Sequence, residues 1–351
     1  TTEIYTLSLH DALPIWKLSQ ERFYPDLTIA LLAPRAMAKR VFAPRHYDRL
    51  ESMATLVDAC FERAADERVD QLAKADIIVS TWGMPRVDEA FLERTPRLRA
   101  LFYAAGSVKG FVTDALFERG ITLSSAAPAN AIPVAEYTVA AIILSNKRFW
   151  ALMRHRRGEA GLPEEVPGNY RRTVGVIAAS MVGREVIRLL RGYDLEVLLY
   201  DPWVGEEEAR RLGVTKVELP ELMERSDVVS LHAPNLPSLR HMINGPLLSR
   251  MKDGATFINT ARGALVDEEA LLAELKSGRI WAVLDVTDPE PPVEGSPLYT
   301  LPNVIYTPHI AGSMHQECHR MADFALDELD RYLRGEPLRN AIQREALARL
   351  A

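Results

Sequence analysis

The sequence predicts an α/β protein made of two doubly wound domains, each a parallel sheet covered by helices on both faces. Three observations carry this. At 351 residues, with 48% apolar and 26% charged residues, the chain is long enough for two cores of ordinary size. Short apolar, β-rich runs alternate with amphipathic stretches from residue 27 onward, the pattern of βα units around a parallel sheet. A segment rich in Arg, Glu, Gly and Pro at 154–172 separates two such series and reads as an exposed connection.

In the first series, strands are expected at 27–32, 75–80, 98–103 and 121–124, and the apolar spacing of 87–94 and 112–119 predicts helices over the sheet. The run 134–146 is apolar nearly all round, which predicts a helix buried between domains or subunits. In the second series, strands are expected at 172–177, 196–200, 228–232, 255–259, 282–286 and 304–307, with helices at 183–190, 206–212, 220–225 and 268–276. Six parallel-type strands with intervening helices match a Rossmann dinucleotide-binding fold. The long amphipathic stretch 314–333 is expected to cross back to the first domain. The domains are therefore expected at 16–126 with 314–351, and at 127–313.

Bulk properties narrow the function. A net charge of −6 with no dense Lys/Arg run leaves no footprint for nucleic acid, and a small-molecule partner fits better. Cys60 and Cys318 have no CxxC spacing, as expected of buried thiols in a reducing cytoplasm. The apolar run of the 134–146 segment ends at Asn146-Lys147-Arg148, short of the roughly 18 residues a bilayer requires, so a protein free of the membrane is expected. The histidines form no metal-ligand motif, and no metal is expected. Residues 6–15 resemble a translated sequencing adapter and the chain does not begin with Met, so 1–15 is expected to be a non-native leader.

A cofactor site is suggested where the strand ending at Ile177 meets Ala178-Ala179-Ser180-Met181-Val182-Gly183 and a helix, with Asp201 closing the next strand. This is the layout of a dinucleotide fingerprint: a turn and helix N-terminus for the pyrophosphate, and an acidic residue about 20 positions on for the adenosine ribose. Asp201 would accept from the ribose hydroxyls and repel a 2′-phosphate, which favours NAD over NADP. Ala178 and Ser180 stand where the first two glycines usually sit, so a Cβ strains the turn at 178 and limits backbone approach at 180, although the Ser180 hydroxyl is itself a phosphate donor. Alone, this stretch reads equally well as a nucleotide site or an ordinary βα turn.

Three segments supply chemistry: Asn259 to Gly263, Asp285 to Pro291 and Thr307 to Ser313. Each follows an expected strand, and the carboxyl ends of parallel strands line one crevice, so Arg262, Glu290 and His309 are expected to converge there. The guanidinium fork suits a substrate carboxylate and a polarised ketone, and the imidazole can supply a proton to a developing alkoxide. Glu290 would hold the ring and favour its protonated form.

With these segments in view, the chain resembles the D-isomer-specific 2-hydroxyacid dehydrogenases, in particular their glyoxylate/hydroxypyruvate reductase and phosphoglycerate dehydrogenase-like branches. The likeness spans about residues 27–345 and is strongest at Ser226 to Pro234, Ile258 to Asp267, Leu284 to Pro291 and Pro308 to Gly312. It implies a Rossmann NAD-binding domain beside a flavodoxin-like substrate domain, with hydride transfer between NAD(H) and C2 of a small 2-hydroxy or 2-oxo acid. It implies Arg262 as the substrate-binding arginine, Glu290 as the partner carboxylate and His309 as the acid/base. It places Ala179, Ser180, Met181, Val182, Asp201, His232, Ala233, Pro234, Thr260, Ala261, Asp285, His309 and Gly312 along the cofactor, with Asp285 at the nicotinamide carboxamide. Ala105 and Gly106 resemble the loop whose N–H groups hold the substrate carboxylate, and Asn130 resembles an asparagine facing the substrate. A homodimer through the 134–146 helix and Trp150 is also implied.

The chain departs from that pattern in two places. The segment 278–285 is one residue short, and Val108-Lys109 replaces a commonly acidic and amide pair, so the acid itself is not read from the likeness. Two other functions fit the same fold: a nucleotide-sensing corepressor-like binding protein, and a relative that has lost cofactor affinity through Ala178. Glu rather than Gln at 290 argues against formate oxidation.

Overall fold

The computed structural model describes residues 23–62, 69–163 and 165–347; the expected leader, 1–15, lies outside them. Two parallel sheets organise the chain. The first is five-stranded, with β1 (Tyr24–Leu32), β2 (Ala54–Asp58), β3 (Ile77–Ser80), β4 (Ala100–Tyr103) and β5 (Thr122–Ser125) in the order β2-β1-β3-β4-β5. That is the flavodoxin-like order. Alternate residues of β1 enter opposite cores: Ile29 and Leu31 pack with Phe102 and Met321, whereas Ala30 and Leu32 pack with Phe91 and Leu101. A strand buried on both faces reads as an unbroken apolar run, which is why β1 was visible in the sequence.

The second sheet comprises β6 (Thr173–Ile177), β7 (Glu196–Tyr200), β8 (Thr215–Lys216), β9 (Val228–Leu231), β10 (Thr256–Asn259), β11 (Trp281–Leu284) and β12 (Val304–Tyr306). Their order, β12-β11-β10-β9-β6-β7-β8, is the Rossmann order with one further strand, and its direction reverses between β6 and β9. Ligands bind such sheets in the crevice at that switch, beyond the strand ends. Phe257 and Ile258 of β10 again point into separate cores.

Several expectations are corrected. The first sheet has a fifth strand, β2, which follows the helix Pro44–Met53 without an intervening turn and lies at the edge, only partly buried. The second has a seventh, the two-residue edge strand β8. The apolar helix begins at Ala127, not 134, and runs to Asn146. It is the helix among the described residues that is long and apolar enough to cross a membrane, but half of it is buried against the protein, chiefly on the helix Met181–Leu190. The connection after it starts with a further helical segment, Phe149–Arg156.

The chain returns to the first sheet through the helix Glu317–Leu333, which buries Cys318, Met321, Ala325, Leu326 and Leu329 there. Glu328 is fully buried on this helix, and its oxygens accept from Arg339 N at 3.1 Å and Asn340 N at 2.9 Å. An interior carboxylate requires such partners, and here they fasten the C-terminal segment across Ser124 and Leu123.

Candidate active site

The loops that follow β10, β11 and β12 meet at one end of the second sheet, and Asp285 organises them. This buried carboxylate accepts from the Thr307 hydroxyl at 2.7 Å and Ile310 N at 2.8 Å through Oδ1, and from Ala311 N at 2.9 Å through Oδ2. The Tyr137 hydroxyl meets that of Thr307 at 2.8 Å, extending the network into the helix Ala127–Asn146. His309 sits inside the loop so held, with φ of 53° in the left-handed region and its N–H donating to Asp285 O at 3.0 Å.

The three expected reactive residues come together here. His309 Nδ1 lies 2.6 Å from Glu290 Oε1, so Nδ1–H donates to the carboxylate and Nε2 is left for other chemistry. Both side chains are partly exposed, as groups that meet a ligand must be. Arg262 is half-buried, and burial lowers its pKa while the Glu290 charge raises it. Its Nη1 donates to Ala261 O at 2.6 Å, and no carboxylate among the described residues forms an ion pair with it. Asn259 fixes the backbone on both sides, donating to Arg262 O and accepting from Ala261 N, each at 3.0 Å. Next to Arg262, a Cβ on Gly263 would fall inside the Thr287 carbonyl, so only glycine lets the arginine loop touch the loop that carries Glu290.

At the sheet's switch point, Ala178 follows β6 with φ of 75°, in the conformation its position in a glycine motif demands and with the Cβ that conformation disfavours. A Cβ on Gly183 would strike the Ala178 carbonyl oxygen, so the surviving glycine sets the helix directly on the turn. Ser180 caps that helix, its Oγ accepting from Gly183 N at 3.3 Å, and keeps a hydroxyl proton to donate. Asp201 is buried and already accepts from Ala179 N and Trp203 N, each at 2.8 Å. Two lone pairs per oxygen leave it room for further donors. Met181 is exposed at the first helical position, with Val182 beside it. Ala233 is buried next to His232, and Pro234 is partly exposed where that strand ends. The fully buried His232 contacts Ser230 Oγ at 2.8 Å, and burial drops its pKa to about 3, so it stays neutral.

The first domain faces this edge. Ala105 is buried and Gly106 half-exposed just beyond β4. Asn130 stands between the domains: its Oδ1 accepts from Ser313 N at 3.0 Å, and its amide lies against both Gly106 and Gly312. Thr260 is tied within the second domain, its hydroxyl 3.2 Å from that of Thr138 on the helix Ala127–Asn146. Trp82 is half-buried under the Arg40 guanidinium, whereas Met84 belongs to the core. Sequence reasoning missed Thr307, Tyr137 and the bracing role of Asp285. Tyr137 lies seven residues after Asn130, on the same helix face, which was the available signal.

Comparison with known proteins agrees with this geometry. Residues 140–311 match the family model described as the D-isomer specific 2-hydroxyacid dehydrogenase, NAD binding domain. Glyoxylate reductase of Korarchaeum cryptofilum is 32% identical over 327 residues, covering 90% of this chain and 98% of that protein. D-3-phosphoglycerate dehydrogenase of Methanocaldococcus jannaschii is 31% identical over 306 residues, 85% of this chain but 58% of that protein, so the chain spans little more than half the length of such relatives. Among solved structures, a phosphoglycerate oxidoreductase from Rhizobium etli superimposes with a TM-score of 0.76 at 25% identity, over 91% of this chain and 99% of that one. D-2-hydroxyisocaproate dehydrogenase gives 0.74 at 25% identity, over 90% and 99%. With a matched nicotinamide-cofactor domain and a relative aligned along nearly its whole length, the chain belongs to the D-isomer-specific 2-hydroxyacid dehydrogenase family.

Proposed function

We propose that the protein interconverts a small 2-oxo acid and its D-2-hydroxy acid with NAD(H), through Arg262, Glu290 and His309. The observation that carries this is the His309 to Glu290 contact beside Arg262, which forms no ion pair with a carboxylate among the described residues. When bound, the nicotinamide cofactor supplies or accepts the hydride. Arg262 would hold the substrate carboxylate and polarise its C2 oxygen, together with the backbone N–H groups of Ala105 and Gly106. With Nδ1–H committed to Glu290, His309 Nε2 is the atom that would give a proton to the C2 oxygen in reduction and take it back in oxidation. Asn130 would face the substrate from its place between Gly106 and Gly312.

The groove at the β6 and β9 ends fits a dinucleotide. First-turn N–H groups at Met181 and Val182 have no intrahelical partner and suit a pyrophosphate, as does the Ser180 hydroxyl. Asp201 suits two ribose hydroxyls and opposes a 2′-phosphate, so NAD is favoured over NADP. Neutral His232, with Ala233, Pro234, Thr260, Ala261, Asp285 and Gly312, would line the nicotinamide end. The domain division proposed is 16–126 with 314–351, against 127–313. A homodimer through the 134–146 helix and Trp150 is supported by the exposed Phe149 and the half-buried Leu152 and Met153 beside it, although Trp150 itself packs partly against the second domain's core. The buried thiols Cys60 and Cys318 support a cytoplasmic location.

The test is NADH and NADPH oxidation with glyoxylate, hydroxypyruvate, pyruvate and bulkier 2-oxo acids, repeated for His309→Ala and Arg262→Ala. Each substitution should cost about 100-fold or more in kcat/KM. Equal rates in all three proteins would refute the assignment, and a preference for NADPH would overturn the role of Asp201. A monomer by light scattering would refute the dimer.

A further inference from the structure

Lys109 follows Gly106 by three residues in the turn after β4, and its side chain crosses the cleft. Nζ donates to the Asn235 carbonyl oxygen, in the other domain, at 3.4 Å. This one long bond uses one of three ammonium donors. No carboxylate among the described residues pairs with Lys109. Burial, and then repulsion from Arg262, hold its pKa below the usual lysine range. The carboxylate near Arg262 is Glu290, which is engaged by His309. Two cations from different domains thus act on one another, and neither forms an ion pair with a carboxylate among the described residues.

Arg262 is half-buried and its charge opposes that of the exposed Lys109, so a ligand anion placed between them relieves that repulsion. One substrate carboxylate answers Arg262 and leaves Lys109 unmet. We propose that Lys109 reads a second anionic group, so that the preferred substrates are 2-oxo or 2-hydroxy acids bearing a phosphate, sulfonate or further carboxylate beyond C2. The proposal rests on the dehydrogenase reading of the same site. It makes Lys109 a specificity-determining residue at the position where the chain departs from the usual acidic and amide pair. A lysine that only latched the domains through Asn235 would affect every substrate alike.

The experiment compares acids that share the 2-oxo-acid head: hydroxypyruvate, with an uncharged tail, against 3-phosphohydroxypyruvate, 3-sulfopyruvate and oxaloacetate, each with a second anionic group. kcat/KM is measured with NADH for the wild type, Lys109→Met and Lys109→Arg. In the wild type, at least one dianionic acid should exceed hydroxypyruvate by about 10- to 100-fold, the worth of a charge-assisted contact. That ratio should fall to about threefold or less in Lys109→Met and largely return in Lys109→Arg, with KM carrying most of the change. The ranking of the three dianions identifies the group being read. A wild-type ratio near one, or an equal fall for all acids in Lys109→Met, would overturn the proposal. Calorimetric titration with D-3-phosphoglycerate and D-glycerate, with and without NAD, gives a readout independent of turnover. Tighter binding of the phosphorylated acid, lost in Lys109→Met, supports the inference even if no acid is reduced, in which case only the dehydrogenase reading fails. Equal binding of the two by an enzyme that reduces hydroxypyruvate overturns this inference alone.

Discussion

Ala178→Gly should stabilise the protein, although it removes a methyl group and adds freedom to the unfolded chain. Ala178 holds φ of 75°, where the Cβ of an L-residue costs about 1–2 kcal/mol and glycine nothing. Glycine's extra entropy in the unfolded chain returns about 0.4–1 kcal/mol of that. The net gain is about 0.5–1 kcal/mol, or roughly 2 °C in Tm for a domain of this size. Urea unfolding followed by circular dichroism reads the change as a higher midpoint at unchanged m-value. Ala179→Gly is the control, since its backbone is not left-handed, and it should lower stability by a few tenths of a kcal/mol to about 1. Equal or reduced stability in Ala178→Gly, or the same change in both variants, would refute the strain argument.

Stability should also fall with acid because of His232. Its pKa is about 3 in the folded protein and about 6.5 unfolded, so above pH 6.5 both states hold it neutral, and below that only the unfolded state takes the proton. The contribution is therefore complete above about pH 6.5 and declines by roughly 1 kcal/mol per pH unit as pH drops towards 3, a slope that His232→Gln should remove in denaturation at pH 5 and 7. Asp285→Asn should cost about 2–3 kcal/mol, read from the urea midpoint, because the amide keeps one accepting oxygen and turns its NH2 group against a backbone N–H of Ile310 or Ala311. Gly263→Ala should cost about 1–3 kcal/mol in the urea midpoint and lower kcat by about 10-fold or more, since the added methyl overlaps the Thr287 carbonyl and pushes the Arg262 loop away from Glu290; unaltered kcat would show that this contact does not set the geometry.

Most of the fold was legible because buried parallel strands are written as apolar runs, unbroken in β4 and β11. What was missed lay at edges. β2 is partly exposed and joins a helix directly, and β8 is two residues long, so neither carries enough pattern to read. The helix start at Ala127 was hidden by Pro128, which serves at the first turn where no N–H is needed, and by Pro133 inside the helix. In the candidate site, Arg262, Glu290 and His309 could be read because each follows a strand end and the topology forces those ends together. The bracing by Asp285 and the reach of Lys109 could not, because their partners lie 25 and 126 residues away and only packing selects them. Asp201 read as a ribose ligand, yet its bonds to Ala179 and Trp203 show that it also shapes the turn it was expected to complement.

The central claim is that hydride passes to C2 of a 2-oxo acid while His309 delivers the proton. Reduction of a 2-oxo acid with NADH carrying deuterium at both nicotinamide C4 positions, followed by NMR and chiral analysis of the product, follows both transfers. One deuteron is expected at C2 of the D-2-hydroxy acid, with the rate of its appearance reduced about 100-fold or more in His309→Ala. Product without deuterium at C2, L-configured product, or label transfer at the wild-type rate in His309→Ala would contradict it.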